Sequence, residues 1–287
     1  MEVKIRPARP EDTEACGRII YEAFRGIAER HNFRPDFPSA DAASRLAHHF
    51  INDPAVYGVV AESGGRVVGS NFLSEWDAVR SVGPITVEPG LQARGAGRRL
   101  MEAVVERGHG AAGIRLVQDS FNTASLSLYA ALGFEVKEPL ALIEGTPAGE
   151  PAAGYEVRPM RDEDLGAAAE LGLKVHGFER TGELKSLAPL LDPFVAVRGG
   201  RVTAYASAPG FWPLNHAVAE SDEDMKALLT GAAAATGAPL SLLLPARQAA
   251  LFRWCLGSGL RVVKPMTLMA LGEYHEPRGS FYPSVGY

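Results

Sequence analysis

The stretch with the most chemistry to offer is Gly83-Pro-Ile-Thr-Val-Glu-Pro-Gly-Leu-Gln-Ala-Arg-Gly-Ala-Gly-Arg-Arg-Leu100. Val82 to Val87 reads as a strand that Pro89 and Gly90 end, and Leu100, Val104 and Val105 form the apolar stripe of the helix that follows. Between them, Gly95 and Gly97 remove the side chains that would keep backbone N–H groups away from a ligand, and the helix turns the positive end of its dipole toward the same place. Such a turn binds phosphate. Two nucleotide motifs use a similar device, and neither fits. The dinucleotide fingerprint needs a third glycine where this chain has Arg99-Leu100, and the Walker turn needs Gly-Lys-Ser/Thr where it has Gly97-Arg98-Arg99.

Thirty residues beyond Gln92 stands a second polar pattern, Asn122-Thr-Ala-Ser-Leu-Ser-Leu-Tyr129-Ala-Ala-Leu-Gly133-Phe134. Taken together, the two stretches resemble the GNAT family of N-acetyltransferases. Its motif A is Gln/Arg-x-x-Gly-x-Gly/Ala after a strand that ends in valine, and Gln92, Gly95 and Gly97 match each defined place. The family's second signature is the Asn122 to Phe134 stretch, in the correct order and spacing. The resemblance covers roughly residues 3 to 143.

The resemblance implies an enzyme that moves an acetyl group from acetyl-CoA to a primary amine of a small molecule or peptide by direct attack. The backbone of Gln92, Ala93, Arg94, Gly95, Ala96 and Gly97 would hold the coenzyme A pyrophosphate. The open edge of Ile85, Thr86 and Val87 would pair with the pantetheine amides, the Val87 amide polarising the thioester carbonyl. Arg94 and Arg98 add positive charge beside the phosphates, with a solvated helix-end cation as the competing reading for either. Asn122 matches the asparagine near the pantetheine arm, and Tyr129 matches the tyrosine that protonates the departing thiolate. Packing of Tyr129 on an amphipathic helix is the alternative. A non-catalytic acyl-CoA sensor is the competing class of function.

Amine acylation also needs the ammonium deprotonated, and no motif supplies the base. Glu75 and Asp77, between two predicted strands, are the candidates, with Glu22 and His31 on the substrate-side helices; a solvated charge is the other reading of each. His48 and His49 are adjacent on a helix, so their rings diverge and cannot share a metal. No metal is expected.

The elements that must position this chemistry follow from periodicity. Strands are expected at Val3 to Pro7, Val56 to Ser63, Arg66 to Ser74, Val82 to Val87, Ile114 to Asp119 and Phe134 to Ile143. Helices are expected at Glu11 to Arg30, Ala40 to Asn52, Gly97 to Gly108 and Ala124 to Leu132. This plan recurs. Arg6-Pro7 with Asp12 returns as Arg158-Pro159 with Asp164, Gly64-Gly-Arg-Val67 as Gly199-Gly-Arg-Val202, and Gly133 to Pro139 as Gly259 to Pro265. Two α/β copies are therefore expected in tandem, each with a mixed, mostly antiparallel sheet flanked by helices. The first spans residues 1–145, a Gly/Pro-rich linker 146–154 and the second copy 155–275.

In the second copy the place of motif A is taken by Ala219-Glu-Ser-Asp-Glu-Asp-Met225, four acids with no glycine, which would repel a pyrophosphate. Gln248 and Cys255 stand where Asn122 and Tyr129 stand in the first. The second copy reads as degenerate, supporting the fold or shaping the acceptor site, with strands at Phe194 to Val197 and Leu240 to Leu244. Residues 276–287 carry Phe281, Tyr282 and Tyr287 and are expected to pack across the first domain.

With 46% hydrophobic residues, 287 residues can fill more than one core. A net charge of -5 provides no basic face for a nucleic-acid backbone and favours cationic acceptors. Two distant cysteines suit a reducing compartment. The apolar stretch Ala227 to Ala246 is interrupted by glycine and proline, and no signal peptide is evident, so a cytoplasmic protein off the membrane is expected, as monomer or homodimer.

Overall fold

Apolar alternation and glycine-bearing turns lay the first half of the chain out as expected. The computed structural model describes residues 3–92, 95–150 and 152–287. They form β1 (Lys4–Pro7), α1 (Thr13–Arg30), α2 (Ala40–Asn52), β2 (Val56–Ser63), β3 (Arg66–Ser74), β4 (Val79–Val82), β5 (Thr86–Val87), α3 (Ala96–Arg107), β6 (Gly113–Asp119), α4 (Thr123–Ala131) and β7 (Glu135–Gly145). The same succession then returns as β8 (Tyr155–Pro159), α5 (Leu165–His176), α6 (Thr181–Ser186), β9 (Phe194–Arg198), β10 (Arg201–Ala206), β11 (Ala217–Ala219), α7 (Asp222–Thr236), β12 (Leu240–Pro245), α8 (Ala249–Gly257) and β13 (Arg261–Gly272), ending in β14 (Ser280–Tyr282).

Two compact units divide the chain, and neither is a single run. The first holds residues 1–114 and 121–134, the second 115–120 and 135–287. In the first unit β1, β2, β3 and β4 lie in that order, all antiparallel, and β5 pairs with β3. The expected single strand Val82 to Val87 is in fact broken into β4 and β5. Pro84 has no N–H for a ladder and Gly83 has φ +137, so the chain leaves the sheet for three residues and rejoins β3 further along.

The repeated Arg-Pro…Asp pattern is a repeated clamp. Asp12 accepts from both terminal nitrogens of Arg6, at 2.7 and 2.9 Å, and from the Arg9 amide at 2.8 Å. Asp164 does the same with Arg158, at 2.7 and 3.0 Å, and the Arg161 amide at 2.8 Å. Each fork ties the end of an opening strand to the start of the first helix, α1 or α5. The guanidinium hydrogen bonds hold both carboxyls below the usual carboxylate range, outweighing the upward push of burial.

In the second unit one set of strands runs β6–β13–β7–β12 and another runs β14–β11–β10–β9–β8. Its core joins Ile143, Leu242 and Leu244 to Phe194, Ala204, Leu228, Ala232 and Tyr282. α7 is buried along most of its length, which explains its alanine content: small side chains let a helix lie close on a sheet. The tail expected to pack across the first domain instead contributes β14, the outer strand beside β11 in the second unit. Among the described residues no helix is long and apolar enough to cross a membrane, and no group of three His, Cys, Asp or Glu could hold a metal ion.

Candidate functional site

β5 is two residues long, yet three features prepare it. Gly69 on β3 faces Val87, and a Cβ at Gly69 would come within 2.7 Å of the Thr86 carbonyl oxygen, so only glycine lets the two strands meet there. Beyond β5, the Gln92 side chain turns back and donates to the Val87 carbonyl at 3.2 Å, fixing the start of the turn to the end of the strand. On its other edge, among the described residues, β5 pairs with no strand. That edge thus has no strand partner among those residues, its Val87 carbonyl being engaged by Gln92.

α3 begins at a bare cap. Gly95 has φ 87 and ψ -9, the left-handed region that costs a residue with a Cβ about 1–2 kcal/mol, and no side chain caps the helix. The first intrahelical bond is Arg99 N–H to Gly95 O at 3.1 Å, which leaves the amides of Ala96, Gly97 and Arg98 ahead of it. No acid stands in the first turn, whereas Arg98 and Arg99 do. Cations at a helix N-terminus oppose the macrodipole and raise the local positive potential. The combination suits a polyanion. Arg98 lies 3.7 Å from Glu102 and Arg99 donates to the Val3 carbonyl. At Gly97 a Cβ would make ordinary contacts with Leu128 and Val87, so what glycine provides there is clearance in front of the amides. Ala93 and Arg94 lie outside the described residues.

The helix is anchored from below by Asn71, fully buried on β3. Its amide donates to the Leu100 carbonyl at 3.3 Å and contacts the Met101 sulfur at 3.4 Å, while its carbonyl accepts from the Phe72 amide at 2.9 Å. Neither Asn71 nor Gly69 belongs to the quoted signatures. A glycine and an asparagine inside an apolar strand run were the available signal.

Asn122 caps α4, its side-chain oxygen accepting from the Ser125 amide at 3.3 Å. Tyr129, one face of α4 further on, is 6% exposed and meets the Phe134 ring edge-on at 6.3 Å. Both readings of Tyr129 thus share one geometry, a ring packed in the unit with its single polar atom at the tip. Ahead of Asn122, Phe121 stacks on Phe33 at 4.5 Å, with His31 at 4.9 Å, joining the end of α1 to the start of the second signature.

Glu75 and Asp77 sit away from the turn. Glu75 is held 2.8 Å from the guanidinium of Arg107, the last residue of α3, while the bare cap is at the other end of a helix about 18 Å long. Asp77 lies two residues on in the same connection, which Trp76 pins by donating to Asp53 at 2.9 Å. Glu22 pairs with Arg18 at 2.9 Å on the outer face of α1. The acids therefore do not gather around the glycine turn before α3.

A mixed, mostly antiparallel sheet flanked by helices, repeated in a second unit, is the GNAT acetyltransferase fold; the glycine turn and bare helix cap stand in the first unit alone. Residues 20–134 match the Acetyltransferase (GNAT) family, and solved structures of GNAT proteins share the fold of nearly the whole chain. A crystal structure of an acetyltransferase candidate from Pyrococcus horikoshii is 18% identical and superposes with a TM-score of 0.74, over 98% of this chain and 92% of that one. The GNAT protein from Sphaerobacter thermophilus is 15% identical, with a TM-score of 0.61 over 96% of each chain. A tandem GNAT protein from the clavulanic acid biosynthesis pathway is 17% identical, with a TM-score of 0.54 over 94% of this chain and 98% of that one. In sequence, 141 residues are 29% identical to mycothiol acetyltransferase of Pseudarthrobacter chlorophenolicus, 46% of this chain. The match spans 42% of that relative's length.

Proposed function

We propose that the chain is an acetyl-CoA-dependent N-acetyltransferase that acylates a primary amine of a small molecule or peptide by direct attack. The observation that carries this reading is the bare, cationic cap of α3 placed directly after a strand whose outer edge is open. Coenzyme A needs those two things in that order, a seat for a pyrophosphate and a ladder for two amides. The residues present fit the group: Ala96, Gly97 and Arg98 offer amides, Gly95 leaves open space at the cap, and Thr86 and Val87 offer backbone groups along β5. The bound thioester supplies an electrophilic carbonyl and a thiolate leaving group.

The chain's own residues then have separate tasks. The β5 backbone, with the Val87 amide, orients the ligand and polarises its carbonyl, and Asn122 holds the arm from the start of α4. Tyr129 delivers a proton to the departing sulfur, which asks of it a contribution on the order of 10²-fold. Glu75, paired with Arg107, and Asp77 stay the candidates for base, acting directly or through water. In this reading residues 1–145 are the catalytic copy, 146–154 the linker and 155–275 the copy without a phosphate seat.

Calorimetric titration of the intact chain with acetyl-CoA tests it. Saturable binding to wild type that is lost in Gly95→Glu supports the placement, and an amine screen then reads turnover. No binding by wild type sinks the proposal. Binding without turnover of any amine would favour a sensor of acyl-CoA.

A further inference from the structure

β5 and β11 hold the same place in their units. Each follows a two-stranded hairpin, each precedes a long helix, and each pairs in the same register with the longer strand before it. Gly69 faces Val87 and Ser70 faces Thr86 in the first unit; Ala204 faces Ala219 and Tyr205 faces Val218 in the second. The two differ on the outer edge. Where β5 pairs with no strand among the described residues, β11 is covered by β14, with Ala217 facing Tyr282, Val218 facing Phe281 and Ala219 facing Ser280.

The helix after the next strand repeats the correspondence. Gln248 precedes α8 as Asn122 precedes α4, each eleven residues ahead of a glycine, Gly259 or Gly133. Asn122 spends its oxygen on its own helix. Gln248, one methylene longer, makes no cap and reaches outward instead. Its amide nitrogen donates to the Phe281 carbonyl at 2.5 Å and its oxygen accepts from the Phe281 amide at 3.2 Å. A side-chain amide bonded to both polar groups of one residue recognises an extended backbone and ignores its side chain.

The rest of the segment is held with equal care. The buried Tyr282 hydroxyl meets Asn215 at 3.4 Å, Ser280 donates to the Asp222 carboxylate, and the buried Arg180 guanidinium donates to the Ser284 hydroxyl at 3.1 Å. Val285 donates its amide to the Pro213 carbonyl at 3.0 Å. These are strand-to-strand and polar contacts of the kind by which an extended peptide is added to a sheet edge.

We infer that the second unit has a peptide-strand site, formed by the outer edge of β11 and the Gln248 amide, and that residues 279–287 are its resident ligand. The ligand class is an extended peptide with a small polar residue followed by two aromatics, as in Ser280-Phe281-Tyr282. The second copy thus takes polypeptide along the edge that matches the open edge of β5.

A chain ending at Pro277 and a fluorescent peptide of residues 278–287 test this. The shortened chain melts several degrees lower than the full chain, and the peptide binds it saturably and restores the melting temperature. Gln248→Ala in the shortened chain weakens the peptide about tenfold, and a peptide N-methylated at the Phe281 amide binds more weakly still. The full chain, its site filled, does not bind the peptide. A folded shortened chain that ignores the peptide, or that takes a second acetyl-CoA in its place, overturns the inference. Should the shortened chain not fold alone, co-expression with residues 273–287 on a carrier recovers soluble protein; no recovery also overturns it.

Discussion

The helix after β5 and the helix after β11 occupy one position in the fold and begin in opposite ways. α3 starts at Gly95 with no side-chain cap, no acid in its first turn and two arginines beside it. α7 starts at Ser221, whose hydroxyl accepts from the Asp224 amide at 3.2 Å, and places Asp222, Glu223 and Asp224 in its first turn. One helix leaves its positive end without a side-chain cap; the other satisfies it with its own acids. Asp224 goes further, for it is fully buried and accepts from Arg198 at 3.0 Å and from the Tyr155 hydroxyl at 3.0 Å. A handful of residues at one helix start therefore separates a bare cap from a structural joint, while the surrounding strands keep their order. The scaffold tolerates either cap chemistry.

The strongest test of that contrast is a negative charge added at the cap. Gly95→Glu puts a strained, negative residue before α3, and calorimetry should show acetyl-CoA affinity falling at least about 100-fold. Glu223→Gln at the start of α7 should leave that affinity unchanged; an equal loss there would erase the distinction between the units. Next in size, Tyr129→Phe should lower kcat in an amine screen about 100-fold with acetyl-CoA affinity intact, whereas Cys255→Ser, at the matching place on α8, should leave kcat alone.

A smaller effect probes what the units share. Asp12→Asn and Asp164→Asn should each cost about 2 kcal/mol of stability by denaturant unfolding, since each carboxylate anchors one arginine fork. The two forks also make a common pH prediction. Both carboxyls have folded pKa values below their unfolded value of about 3.9. Their contribution is complete above that value and is lost as pH falls through the lowered one, so acid should destabilise wild type more steeply than either Asn variant. Smallest of all, Gln92→Ala removes the bond to the Val87 carbonyl and should weaken acetyl-CoA about threefold.

Much of this was legible in the sequence because it depends on local spacing. The glycines before α3, the Arg-Pro…Asp repeat and the Asn122 to Phe134 signature are each set by residues within about a dozen positions of each other, and the described residues among them lie on the elements their spacing implies. The break between β4 and β5 was marked by Gly83-Pro84 yet masked by the β-branched residues on either side, whose strand propensity is satisfied on the far side of the gap. The surroundings of Glu75 could not be read, because its partner Arg107 lies 32 residues away across a helix whose packing settles the pair. For the tail, aromatic, proline and glycine content indicates burial without indicating against what. Only the vacancy beside β11, a property of the sheet, gives it an address.

One strand has a bearing on how the chain comes to be. β13 lies between β6 and β7, with Ser120 donating to the Pro265 carbonyl at 3.2 Å, its hydroxyl 2.7 Å from Thr267, and Asp119 paired with Lys264 at 2.7 Å. On the ribosome, β6 and β7 emerge with nothing to fill the gap between them, and they wait until residues 261–272 have been made. A nascent chain halted after β7 and before β13 would present two unpaired strand edges to its neighbours, so the interval most exposed to misassembly is the synthesis of the residues between them.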